Sequence, residues 1–171
     1  MKALTLWNPW AVLASLGLKG WETRSWYPPH SLDGQYFAIH GALTMPRAAR
    51  DFANDPAVAD ALRPHFPHLY VWQERKAPAM GYWRYFTNYR SQGFPTGVLA
   101  VARLGPVVRT TEARVSDLER RFGIYDPGRW ALKLDDVRAL SQPVPCAGRQ
   151  RFWNLSPDVE ELVLERVRLV A

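Results

Sequence analysis

One cysteine in 171 residues, Cys146, leaves no route to an internal disulfide or a cysteine-built zinc site, and it points to a reducing, cytoplasmic compartment. Lysine is scarce too: only 4 of the 22 basic residues are Lys, the other 18 being Arg. No apolar run approaches the roughly 20 residues needed to cross a bilayer, so a membrane partner is not expected. Residues 1–19 imitate a signal peptide, with Lys2 ahead of an apolar run. Asn8-Pro9 interrupts that run, no small-residue cleavage site follows, and Lys19, Glu22 and Arg24 come at once; the segment reads as folded protein. There is no Gly-rich phosphate loop, no serine elbow and no metal cluster. His65 and His68 stand three apart, but Pro67 spoils their presentation on a helix and no acid accompanies them.

What the chain does have is apolar and aromatic mass. Hydrophobic residues make up 47%, with 8 Trp, 7 Tyr and 7 Phe, enough for a core in a single domain spanning 1–171. The formal net charge is +6. A basic domain favours anionic partners, nucleic acid first, because displaced counterions drive the association. Arginine adds a planar fork that grips phosphate and stacks on bases. The plainer reading, charges spread over a solvated face, stands beside it.

Along the chain, Ala3–Trp7 reads as a strand, with Asn8 as N-cap and Pro9 opening a helix that Gly17 ends. Trp21–Trp26 and Gly34–His40 alternate like half-buried strands, the second with Phe37 and Ile39 on one face and Tyr36, Ala38 and His40 on the other. Two short helices are expected at Met45–Phe52 and Pro56–Arg63. Strands are expected at Gly97–Leu104, Val107–Thr111, Trp130–Leu134, Ala139–Val144 and Arg151–Leu155. A helix follows the capping-box pair Ser116 and Glu119, and another starts at Pro157. Short strands punctuated by helices, without βαβ alternation, indicate an α+β fold or small barrel.

The densest chemistry lies in Gly17-Leu18-Lys19-Gly20-Trp21-Glu22-Thr23-Arg24. On a strand, Glu22 and Arg24 share a face, and Lys19 in the preceding turn can reach the same space. Two cations and a carboxylate gathered there can hold a phosphate or a base edge; the alternative is an ordinary exposed turn with a weak ion pair.

Together with Trp7-Asn8-Pro9-Trp10-Ala11 and Ala38-Ile39-His40-Gly41-Ala42, the pattern Gly17-x-Lys19-x-x-Glu22-x-Arg24 resembles the ASCH domain of the PUA-like superfamily. Gly97–Ala102, Gly128–Leu132 and Pro143–Gln150 are similar to that family's central and closing strands. The resemblance covers residues 1–42 and about 95–155, leaving 43–93 as an apparent helical and aromatic insertion. It implies a β pseudo-barrel with flanking helices. It also implies a cleft binding RNA or a modified nucleotide, with Lys19, Glu22 and Arg24 at the cleft and no resident cofactor. Some ASCH members are small hydrolases: ribonucleases, or amidohydrolases on acylated cytidine. An enzymatic version here would use Lys19 and Glu22, with a divalent metal possible for a ribonuclease and Glu22 its nearest ligand. The amidohydrolase branch has threonine where this chain has Glu22, and Glu112 and Glu119 are the candidates for its distant acid.

Three further expectations complete the sequence reading. Arg75 to Arg90 holds four bases, five aromatics and no acid, an interleaving suited to single-stranded nucleic acid. Arg84 and Tyr85 are the chosen contacts there, core aromatics being the alternative. His40, ending its strand, is a candidate ligand contact or structural histidine. Arg149, in Gly148-Arg149-Gln150, is a further candidate for phosphate. A protein-interaction module built on exposed aromatics is the last alternative.

Overall fold

The computed structural model describes the backbone of residues 1–73, 82–85 and 93–168, and the side chains of 1–70 and 93–167. Eight strands and five α-helices are described, in the order β1 (Lys2–Leu6), α1 (Trp10–Ser15), β2 (Trp21–Arg24), β3 (Tyr36–Gly41), α2 (Arg47–Ala53), α3 (Pro56–Leu62), β4 (Tyr70–Gln73), β5 (Tyr82–Tyr85), β6 (Gly97–Arg109), α4 (Asp117–Arg121), β7 (Trp130–Val144), β8 (Phe152–Asn154) and α5 (Pro157–Arg168). Six strands form one mixed sheet in the order β2-β7-β6-β3-β1-β8. Only β1 and β3 pair in parallel; the other four pairings are antiparallel.

The sheet curls into a half-barrel, the α+β pseudo-barrel expected. Its two ends meet without a hydrogen-bonded ladder. Arg24 at the end of β2 donates from Nη2 to the carbonyl of Thr5 on β1, at 3.1 Å. Trp26, just past β2, packs edge-on against Phe152 of β8, with ring centroids 5.9 Å apart. A seam therefore runs between β2 on one side and β1 and β8 on the other.

Alternation along β3 divides the interior. Phe37 and Ile39 join the main core with Leu4, Leu6, Val12 and Leu132. Ala38 faces a second cluster with Ala3, Val98, Val144 and Trp153, closed by Val163 of α5. The stretch resembling a signal peptide supplies β1 and α1, at the centre of the main core. Segment 43–93 leaves the sheet between β3 and β6, which pair directly. Its helices add Ala49, Ala53, Val58 and Leu62 to the main core, while β4 and β5 form a separate two-stranded ribbon.

Three local expectations are corrected. Asn8 does not cap α1: Pro9 occupies the cap position, and the Asn8 amide donates to the Pro95 carbonyl at 2.9 Å, tying the β1–α1 corner to the approach of β6. The segments expected as separate strands at 97–104 and 107–111 form one strand, as do 130–134 and 139–144. Register shifts along the β6–β7 ladder, with Asp136 in a left-handed conformation at φ 45°, absorb the irregularities that break the alternating pattern.

Gly97 has φ 88°, and a Cβ there would stand 2.3 Å from the Val144 carbonyl oxygen. Gly17 is also left-handed, φ 70°, but opens onto free space. Gly17→Ala is expected to cost roughly 1–2 kcal/mol from backbone conformation alone. Gly97→Ala should cost about 2 kcal/mol more, because backbone must also move. Denaturant unfolding of the two variants checks the difference.

Candidate functional site

A cleft of about 510 Å3 occupies the seam. Its walls come from Thr5–Trp7 with Trp10, from Lys19 and Glu22–Arg24 with Trp26, from Phe122–Ile124 with Arg129, and from Arg149–Arg151. Four of the residues singled out by sequence, Lys19, Glu22, Arg24 and Arg149, line this one cleft.

The floor is an ion triplet. Glu22 lies between Lys19, whose Nζ is 3.2 Å from Oε2, and Arg24, whose Nε is 3.1 Å from Oε1. The Arg24 Nε contact is one of charge, since it lacks hydrogen-bond direction. The side chains of Lys19 and Glu22 are only 1% and 9% exposed, that of Arg24 26%. Lys19 also donates to the Trp21 carbonyl, so its ammonium is already committed to two partners at the floor. A carboxylate buried this far needs such partners, because an unpaired buried charge is strongly destabilising.

Glu119 braces the same turn from outside the cleft. Its carboxylate accepts from the backbone N–H groups of Gly20, at 2.8 Å, and Trp21, at 3.1 Å. Trp21 is thereby pinned through both its N–H and its carbonyl. Burial, reinforced by the Glu119 charge, pushes the Tyr125 hydroxyl beside it well above the ordinary tyrosine range. Of the two acids weighed as a distant catalytic carboxylate, neither Glu119 nor Glu112 lines the cleft.

The rim is cationic. The lining holds five bases, Lys19, Arg24, Arg129, Arg149 and Arg151, against one acid, Glu22. Arg129 donates from Nη2 to the Thr23 carbonyl at 3.2 Å, and its Nε has no partner among the described residues. Arg151 adopts φ 56°, a conformation uncommon for a residue with a side chain, and its guanidinium lies 5.8 Å from the Trp26 ring centroid. Arg24 approaches the same ring to 5.9 Å. Sequence reading assigned no site role to Trp7, Trp26, Arg129 or Arg151. Trp26 could have been found by alternation, standing two residues past Arg24 in the segment expected as a strand; Arg151 sits in an irregular loop with left-handed backbone, and Arg129 reaches the cleft through the β2–β7 pairing, neither of which leaves a local signature.

His40 is not brought to the cleft. It is 2% exposed, and its Nε2–H donates to the Cys146 carbonyl at 3.1 Å, leaving Nδ1 with no partner among the described residues. The ring packs on Trp153 and against Gly148, where a Cβ would come within 2.5 Å of it. His40 thus supports the loop that carries Arg149–Arg151 from behind. Cys146 is half-buried. Arg84 and Tyr85 have their backbone in β5, paired with Val71 and Tyr70, and their side chains lie outside the described residues, as does most of the Arg75–Arg90 constellation. No described residue of 43–93 lines the cleft; α2 reaches its wall through Phe52, stacked on Trp10 with centroids 4.5 Å apart.

Among the described residues no cluster of three or more His, Cys, Asp and Glu could hold a metal ion. Glu22, the one lining carboxylate, is flanked by two cations, so the donor set of the cleft does not fit a divalent cation. No described helix is long and apolar enough to cross a membrane.

No protein-family model matches the sequence, and no curated protein matches it. Among solved structures, the chain is similar to ZmASCH from Zymomonas mobilis. The match, to a point mutant of that protein, has 14% sequence identity and a TM-score of 0.47, and covers 96% of each chain. The functional reading rests on the cleft itself.

Burial lowers the His40 pKa below its ordinary 6.5, opposed by the bond to the Cys146 carbonyl. The folded state then binds fewer protons at this site than the unfolded chain, so stability rises with pH. The contribution is fully present above pH 6.5 and is lost as pH falls through the lower folded value. Thermal unfolding should show a midpoint that drops on acidification below pH 6.5, and His40→Gln should flatten that slope.

Proposed function

We propose that this chain is an ASCH-type, PUA-like protein that binds RNA or a modified nucleotide in the seam cleft. The observation that carries the reading is the convergence of Lys19, Glu22, Arg24 and Arg149 on one cavity whose lining holds five cations and a single acid. Anionic ligands are drawn to such a concave cationic surface. Its volume lies within the roughly 300–1,000 Å3 usual for small-ligand sites. The cleft therefore suits a nucleotide or one stretch of single strand, with phosphate on the rim arginines and polar ring edges against the floor triplet.

The hydrolase alternative would require the Lys19 ammonium to leave Trp21 and Glu22, so binding is the reading the geometry favours. Arg149 is exposed and outside every described ion pair, which makes it the cleanest probe; Arg24 also bridges the seam, and its loss would damage the barrel. Wild-type protein is expected to retard an end-labelled single-stranded RNA without cutting it. Affinity should fall steeply as salt rises, and Arg149→Ala should weaken binding while leaving the circular dichroism spectrum native. Cleavage of the RNA by the wild-type chain would make the protein an enzyme instead, and the absence of both shift and cleavage would overturn the reading.

A further inference from the structure

Six tryptophans have described side chains, and five of them have a ring or cation partner. Trp10 stacks on Phe52, Trp26 meets Phe152 and two guanidiniums, and Trp21 lies under Lys133. Trp130 is covered by Arg109, at 3.7 Å, and Tyr27, while Trp153 packs on His40. Trp7 has no such partner among the described residues, is 52% exposed, and lines the cationic cleft.

An indole left open is ordinary on a mobile loop, but Trp7 stands on fixed backbone. Its carbonyl accepts from Ala11 N–H at 3.1 Å, the preceding Leu6 carbonyl accepts from Ala42 N–H at 2.8 Å, and the following Asn8 is tied to Pro95. A ring held in place with open surface offers stacking at little ordering cost. The cleft beside it has room for one small ligand rather than a duplex. A nucleotide carries both parts this surface asks for: a flat neutral ring for Trp7 and a phosphate for Arg149 and Arg151. An acidic peptide supplies the charge without the ring.

Building on the nucleic-acid reading of this cleft, we propose that Trp7 is the stacking platform for a single unpaired base, which the cleft takes one at a time from single-stranded RNA. Aromatic–base stacking of this kind is tolerant of sequence and sensitive to loss of the ring.

The test compares three probes on the full chain: a fluorescent ten-nucleotide single-stranded RNA, inorganic polyphosphate, and a poly-glutamate peptide. Trp7→Ala is expected to weaken RNA binding about 5- to 150-fold, leave polyphosphate binding unchanged, and retain the wild-type unfolding midpoint; Trp7→Phe should recover most of the loss. RNA affinity unchanged in Trp7→Ala but reduced in Arg149→Ala would remove the platform and keep the cleft reading. Failure of the wild-type chain to bind either RNA or polyphosphate would remove both. Tight binding of poly-glutamate that is lost in Trp7→Ala, with RNA unaffected, would make this an acidic-peptide site and overturn the proposal.

Discussion

The structure turns on how a curled sheet closes where its strands do not pair. Backbone at a sheet edge must find partners or water, and at this seam β2 reaches β1 through a side chain: Arg24 spans the gap to the Thr5 carbonyl. That guanidinium can sit there because Glu22 is beside it, and Glu22 can be buried because Lys19 lies on its other oxygen. Both cations depend on Glu22. Taking it away would leave the buried Lys19 ammonium without a counter-ion, a far larger loss than the modest net worth of such a pair at the surface. The same triplet keeps the seam open as a cleft, since charged groups at its floor prevent the apolar walls from collapsing together.

The rim is different in kind. Elsewhere on the surface four arginines meet acids: Arg121 pairs with Asp55, Arg138 with Asp136, Arg103 with Asp135 and Arg47 with Asp51. Arg149 and Arg151 have no such ion pair among the described residues. The cleft lining itself gathers five bases against a single acid where the walls are concave. Concavity sharpens the field that a diffusing anion meets, so a net charge of only +6 can still be directional.

Much of this was legible locally. The two-residue alternation that put Glu22 and Arg24 on one face, and Phe37 and Ile39 opposite His40, depends only on the pleat of a strand, and both appear as expected. Ser116 was legible for the same reason: its hydroxyl accepts from Glu119 N–H within one turn of helix. Legibility ended where residues distant in sequence compete for a group. Asn8 has the chemistry of a helix cap, yet its amide is committed to Pro95, 87 residues away. His40 has the chemistry of a ligand contact near the end of its strand, but the β1–β3–β8 arrangement turns it to the far side of the rim loop. Arg129 enters the cleft through cross-strand register, which no window of neighbouring residues encodes.

The position of β1 has a consequence for how the molecule comes into being. β1 lies between β3 and β8, so Lys2 pairs both with Phe37 and with Asn154. During synthesis the first strand can acquire one neighbour early, but its other edge stays bare until the chain has been made past residue 154. Loop closure over such a span is slow relative to local structure. The cleft follows the same schedule, because its walls are drawn from residues 5–26, 122–129 and 149–151. A nascent chain can display the Lys19–Glu22–Arg24 stretch without yet having a cavity to put it in. The cavity is thus a property of the assembled sheet and not of any one stretch of the chain.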